Sequence, residues 1–342
     1  MSRRGSWSLL LVTWALSLTG MVALPTSPWR IYLPQGFSAP PQPADNVADS
    51  LRVDLGKRLF FDPILSRDSS IHCGSCHKPE FAFADTLAIS PGVEGRLGFR
   101  NAPSLANVGY QPRLLRDGTI KTIEMQAIVP IQEHAEMDFS MPEAAARLAR
   151  HPVYARLCLQ AYGRAPDPWA LTRALAAYQR TLISGDAAWD RQFTQGAQAG
   201  LSPLALAGWQ VFQDPAVGCS GCHAGALFTD HSLRNNGLAS TPADSGRARI
   251  SGLPEDKGIF QVPSLRNVGL TPPYMHDGRF RTLEDVVAHY DRGGDGVSGQ
   301  DALVRPLHLD AAQKKALVEF LRTGLTDMHF VRRHTRHKDG PP

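Results

Sequence analysis

The sequence predicts a mostly α fold built from two tandem, related halves with long loops, and three observations carry that expectation. The pentapeptide "CGSCH" at 73–77 returns as "CSGCH" at 219–223. Around both copies runs a longer self-similarity. Elsewhere the apolar pattern is helical, and no stretch alternates for long enough to make a strand.

The self-similarity sets the domain plan. "RLFFDP" precedes the first pentapeptide and "QVFQDP" the second, while "FAFAD" and "ALFTD" follow them. "PSLANVG" at 103–109 answers "PSLRNVG" at 263–269, and "RDGTIKTIE" at 116–124 answers "HDGRFRTLE" at 276–284. These later pairs lie 160 residues apart and the cysteines 146 apart, so a 14-residue insertion separates the second histidine from its "PSL". Two related domains are therefore expected at 48–185 and 198–325, behind a Pro-rich stretch at 24–47 and ahead of a basic tail at 326–342.

Helix starts and stops punctuate both halves. Pro142, Pro168 and Pro203 each suit a first helical turn, before helices through "EAAARLARHPVYARLCLQAYG", "WALTRALAAYQRTLIS" and "LALAGWQVFQ". Two late helices are expected over 282–293 and 310–324.

A Cys-x-x-Cys-His pentapeptide has three explanations: half a zinc site, a redox dithiol, or covalent haem attachment through both thiols with the histidine on iron. Only the third requires a histidine directly after the second cysteine, and both copies keep it. Two c-type haems follow, attached at Cys73, Cys76 and His77 and at Cys219, Cys222 and His223, which makes the halves tandem cytochrome c-like haem domains. Each histidine supplies one axial nitrogen, so what stands on the opposite face decides function.

Composition and termini bound the rest. A chain of 342 residues with 43% hydrophobic content can bury a sizeable core. Residues 1–23 read as a signal segment, with Arg3 and Arg4 ahead of "LLLVTWALSLTGMVA"; an uncleaved anchor is the alternative to a cut after Ala23. Without those two arginines the formal charge of +4 falls to +2, which gives no ground for a nucleic-acid partner. The basic cluster "VRRHTRHKDGPP" reads as a solvated tail in preference to a docking patch. Cys158 is left without a partner and reads as a small core residue. Export to the periplasm suits this cysteine usage.

The blocks "LGKRLFFDPILS", "CGSCH", "RNAPSLANV", "EMQAIVPI", "FQVPSLRNVGLTPPYMHDGRF" and "HYDRGG" resemble the bacterial dihaem cytochrome c peroxidases and the MauG-type enzymes of the same two-domain fold, over nearly all of the chain after residue 45. The resemblance makes the His77 haem the peroxide site. Gated peroxidases close that site with a histidine where this chain has Val93, and no histidine lies between His77 and His134, so an open iron is implied. His134 reads as a surface or structural histidine. Glu136 matches the family's acid–base glutamate and Gln126 its distal glutamine.

On the second iron the family ligand lies on the helix after "HDGRFRTLEDVV", where Tyr290 matches the MauG-type tyrosine; His289 and Met275 are the competitors. The resemblance further implies a calcium ion held by the Asn101 side chain and the Thr271 and Pro273 carbonyls, and a haem-propionate contact from His276 with Arg116 as its repeat counterpart. Arg116 also departs from the family, which carries tryptophan there as an electron relay between haems; Tyr110 and Tyr274 are the aromatic substitutes to consider. The implied activity is a periplasmic peroxidase that reduces hydrogen peroxide with electrons from a small donor protein, cytochrome c or a cupredoxin. A MauG-like oxidant of a partner protein's residues and a non-catalytic electron carrier are the alternatives, and a homodimer is compatible with either.

Overall fold

The structure is a computed structural model, and it describes residues 30–194, 200–239 and 244–335. The expected signal segment therefore lies outside the described residues, as do Arg336 and Lys338 of the tail. Among the described residues, no helix is long and apolar enough to cross a membrane.

In the first half, Asp49 caps α1 (Ser50–Phe61) by accepting from the Arg52 N–H. The first pentapeptide forms the single turn α2 (Cys73–Cys76), and α3 (Ile123–Gln126) and α4 (Ile128–Gln132) follow the "RDG" block. Then come α5 (Met141–Arg150), α6 (Pro152–Tyr162) and α7 (Pro168–Gln179). The single helix expected across 143–163 is thus two. Pro152 has no N–H to donate into a continuing helix, so α5 ends and α6 starts on that proline. Cys158 is fully buried on α6, as expected.

The second half opens with α8 (Ala188–Phe193) and α9 (Pro203–Gln213). Its strands β1 (Leu233–Arg234) and β2 (Phe260–Gln261) pair antiparallel across the insertion, which contains α10 (Ala248–Ser251). Thr282 caps α11 (Leu283–Asp291), and Asp310 caps α12 (Ala311–Glu319), whose last turn widens over Phe320–Gly324. The chain closes on α13 (Met328–Thr335). The two-residue β pair is the only named sheet among the described residues, in keeping with a mostly α class.

The repeat reappears as repeated packing. Gly56 of α1 presses against α7 so closely that a Cβ there would lie 1.9 Å from the Ala174 carbonyl oxygen. Gly208 of α9 meets the Ala316 carbonyl of α12 at the same 1.9 Å. Phe60 and Phe83 meet edge to face at 6.0 Å in one core, and Phe212 and Phe228 at 5.9 Å in the other. Asn107 and Asn267 of the "PSL" blocks both adopt left-handed backbone, with φ of 63° and 61°. Their N–H groups donate to the Leu182 and Leu325 carbonyls respectively.

The segments that flank the two halves pack against them as far as they are described. Residues 38–41 of the Pro-rich stretch lie on the fold: the Tyr110 hydroxyl donates to the Ser38 carbonyl at 2.7 Å, and Arg180 Nε donates to the Pro41 carbonyl. The tail is helical as far as Thr335 and only partly solvated, with Arg332 exposed but Phe330 and Val331 buried. Phe330 is fully buried on α13, and its ring sits 5.8 Å from that of Phe83, because the basic residues of this helix occupy only one side of an apolar stripe.

Candidate functional site

Each pentapeptide histidine is held by the loop that follows it. His77 Nδ1 lies 3.0 Å from the Phe83 carbonyl and His223 Nδ1 lies 3.1 Å from the Phe228 carbonyl. Both phenylalanines take left-handed backbone, φ 61° and 53°, which turns their carbonyls onto the imidazoles at a conformational cost that functional loops commonly carry. The serine of each "PSL" block secures the arrangement, since Ser104 Oγ donates to the Ala82 carbonyl and Ser264 Oγ to the Leu227 carbonyl, both at 2.6 Å. With Nδ1–H committed to a carbonyl, the neutral imidazole keeps its lone pair on Nε2, the form a metal binds.

Both histidines line one cavity of about 810 Å³. Cys73 and Cys76 share its wall, while Cys219 packs on the aromatic core of the second half. All five cysteines are free. Burial pushes the Cys73 thiol up to about 12 and the Cys219 thiol up to about 11, the opposite of the lowered values that dithiol exchange requires. No group of three or more His, Cys, Asp or Glu among the described residues is placed to hold a metal ion.

The cavity wall gathers most of the expected residues. Gln126, at the end of α3, and Glu136 both line it with His77. Burial, reinforced by the like charge of Glu133, pushes the Glu136 carboxyl from 4.5 to about 7. The loop at the gate position holds this glutamate in place: the Val93 N–H donates to the Glu136 carbonyl at 2.8 Å, and Gly92 is so close that a Cβ would lie 2.2 Å from the Ala135 oxygen. Val93 itself is fully buried and off the cavity wall. His134 also stays off the wall, with a side chain 71% exposed and Nδ1 3.2 Å from Asp138.

On the opposite side, Tyr290 and Met275 line the cavity and His289 does not. His289 is fully enclosed; its Nε2 lies 3.0 Å from the Asn236 carbonyl and its Nδ1 3.1 Å from Arg292 Nη2, so both ring nitrogens are engaged. Burial raises the Tyr290 phenol, and a hydrogen bond with the Asn236 side chain lowers it in part. Asn236 Nδ2 also lies 3.5 Å from Met275 Sδ. Sequence reasoning missed Asn236, because it stands in the inserted stretch with no counterpart in the first half. It missed Glu133 too, whose only signal was a second carboxylate one turn from Glu136. His72 and His231 are further cavity-wall histidines without a sequence signal.

His276 is buried and stacks on Phe260 with ring centroids 4.1 Å apart, leaving Nε2 with no hydrogen-bond partner. A buried orphan nitrogen on a cavity wall needs a polar group from the cavity, and a haem carboxylate fits it. Arg116 also lines the wall. Of the aromatic substitutes, Tyr274 lines the cavity, whereas Tyr110 is turned to Phe37 and Ser38.

Of the residues expected to hold calcium, Asn101 fits it poorly. Arg116 Nη2 donates to Asn101 Oδ1 at 2.9 Å and to the Asn101 carbonyl at 3.2 Å. Asn101 Nδ2 donates to the Leu87 carbonyl, which fixes the amide in that sense. A dication on the same oxygen would stand roughly 4–5 Å from the guanidinium, a repulsion of roughly 7 kcal/mol at an effective dielectric constant of about 20.

Residues 50–199 match the family model for di-haem cytochrome c peroxidase. The chain is 35% identical over 287 residues to the methylamine utilization protein MauG of Methylorubrum extorquens, covering 83% of this chain and 80% of that protein. It is 33% identical over 315 residues to the cytochrome-c peroxidase IdrP1 of Denitromonas iodatirespirans, covering 82% and 83%. The crystal structure of a MauG-like protein associated with microbial copper homeostasis superposes with a TM-score of 0.83 at 30% identity, over 89% of this chain and 97% of that one.

Proposed function

Because the chain belongs to the di-haem cytochrome c peroxidase and MauG family, we propose that it is an exported peroxidase that reduces hydrogen peroxide to two waters, consuming two protons and two electrons. The observation that carries this reading is the placing of Glu136 and Gln126 on one cavity wall with His77. When bound, the two haems supply the iron that accepts peroxide and a second store for one electron. All other steps fall to side chains. The Glu136 carboxyl, poised at about 7, takes a proton from the near oxygen of peroxide and returns it to the far one, so that water leaves. Gln126 has both a donor and an acceptor with which to orient the peroxide.

On the second iron Tyr290 is the ligand we favour over Met275, and the engaged ring nitrogens of His289 weigh against it as a ligand. A phenolate there disfavours ferrous iron, which also suits a MauG-like enzyme acting on a partner protein. His276 and Arg116 hold haem carboxylates. Electrons come from a small donor protein such as cytochrome c or a cupredoxin, and the segment at 1–23 directs export to the periplasm.

Steady-state turnover of Glu136→Gln tests the reading. Loss of peroxide reduction with both haem spectra intact supports a peroxidase, whereas unchanged electron transfer identifies a carrier. Turnover that requires a partner protein, with no oxidation of cytochrome c, selects the MauG-like alternative.

A further inference from the structure

The two halves meet along a seam of backbone and ion-pair contacts, and Arg116 lies in it. The Asn101 N–H donates to the His276 carbonyl and the Gln261 N–H to the Arg116 carbonyl, both at 2.7 Å. Arg100 bridges the halves through Asp244, at 2.7 and 2.9 Å, and also holds Asp117. At the centre the Arg116 guanidinium spans both oxygens of Asn101, with Nε 3.3 Å from the carbonyl and Nη2 2.9 Å from Oδ1. Among the described residues no ion pair to Arg116 is found: Asp117 is taken by Arg100, and Asp277, which attracts it, is paired with Arg279. A cation enclosed without a carboxylate is costly unless anions complete its surroundings.

We infer that the Arg116 guanidinium takes the place of a divalent cation at this seam, so that the haem-loaded protein neither holds nor needs calcium there. One feature supports the exchange: the side-chain oxygen expected to bind calcium is the one Arg116 already occupies, with its Nη2 donating to Asn101 Oδ1 at 2.9 Å. The inference rests on the two-haem reading only in that haem carboxylates complete the surroundings of the guanidinium, and it is independent of the electron donor or substrate.

The test uses full-length, haem-loaded protein with haem content measured separately. Elemental analysis after dialysis against calcium-free buffer, followed by thermal unfolding and haem absorption spectra with EGTA or with calcium, reads the site without any turnover. The wild type should carry well below one equivalent of calcium, and its midpoint should differ by less than about 1 °C between EGTA and calcium. Arg116→Gln, which frees the Asn101 oxygen, should unfold at lower temperature and regain several degrees with about millimolar calcium; Arg116→Lys should stay insensitive. One tightly held equivalent in the wild type, with EGTA shifting its midpoint or spectrum, would overturn the inference. So would an Arg116→Gln protein that ignores calcium. If that variant fails to fold, the wild-type calcium content and EGTA comparison decide alone.

Discussion

Removing the charge of Glu133 should shift the pH at which this protein turns over. In the proposed reaction Glu136 acts first as a base, so its ionised form would be the active one, and with the carboxyl at about 7 it is half ionised near neutral pH. The value of kcat/KM should then rise tenfold per pH unit below about 7 and level off above it, leaving roughly a hundredth of the plateau near pH 5. Burial is the larger cause of the raised value and the Glu133 charge the second. In Glu133→Gln the burial remains and only the like charge goes. The limb should therefore move to lower pH by less than half of the rise from 4.5 to about 7, because burial, the larger cause, stays. Plateau activity should stay within a few-fold of wild type. The assay is steady-state peroxide reduction from pH 5 to 9 with a reduced donor in excess, with haem spectra taken at each pH. A limb that stays in place in Glu133→Gln, or persists in Glu136→Gln, would refute the assignment of this titration to Glu136.

Other perturbations separate the site from its scaffold. Glu136→Gln should lower kcat/KM on the plateau by about 10² to 10⁴, the usual worth of a positioned acid–base group. Tyr290→Phe should alter the absorption and EPR signals of one haem, whereas His289→Gln, which leaves the Asn236 carbonyl and Arg292 underused, should leave those signals and lower stability by about 1–3 kcal/mol. Gly208→Ala drives a methyl group into the Ala316 carbonyl and should cost about 3 kcal/mol in chemical denaturation, with Gly56→Ala doing the same to the first half. Ser104→Ala loses the bond to the Ala82 carbonyl and should cost about 1 kcal/mol while loosening His77.

Much of this could be read from the chain because the same physical task is spelled twice. A proximal histidine needs a carbonyl at Nδ1 and a serine to fix that carbonyl's loop, so Ser104 and Ser264 recur with Phe83 and Phe228. Glu136, Gln126 and Tyr290 could be placed only by likeness to a family, since a lone carboxylate, amide or phenol carries no periodic signal. Other features were hidden by composition. The basic residues of α13 masked the apolar stripe that sets Phe330 against Phe83. Pro152 was read through although it splits a helix. Asn236 belongs to an insertion that the repeat could not illuminate, and the close approach of Gly92 to Glu136 is a tertiary contact that no local pattern encodes.

The proposed reaction needs an open site at the His77 haem, with Val93 withdrawn into the core and His134 held at the surface. Rapid-mixing absorption spectroscopy of the fully oxidised, haem-loaded protein with hydrogen peroxide, and no reductant, tests this directly. An open site should give an immediate change in the haem absorption bands that scales with peroxide concentration. A spectrum that stays unchanged until one haem is reduced would contradict it, and would mean that another ligand closes the site.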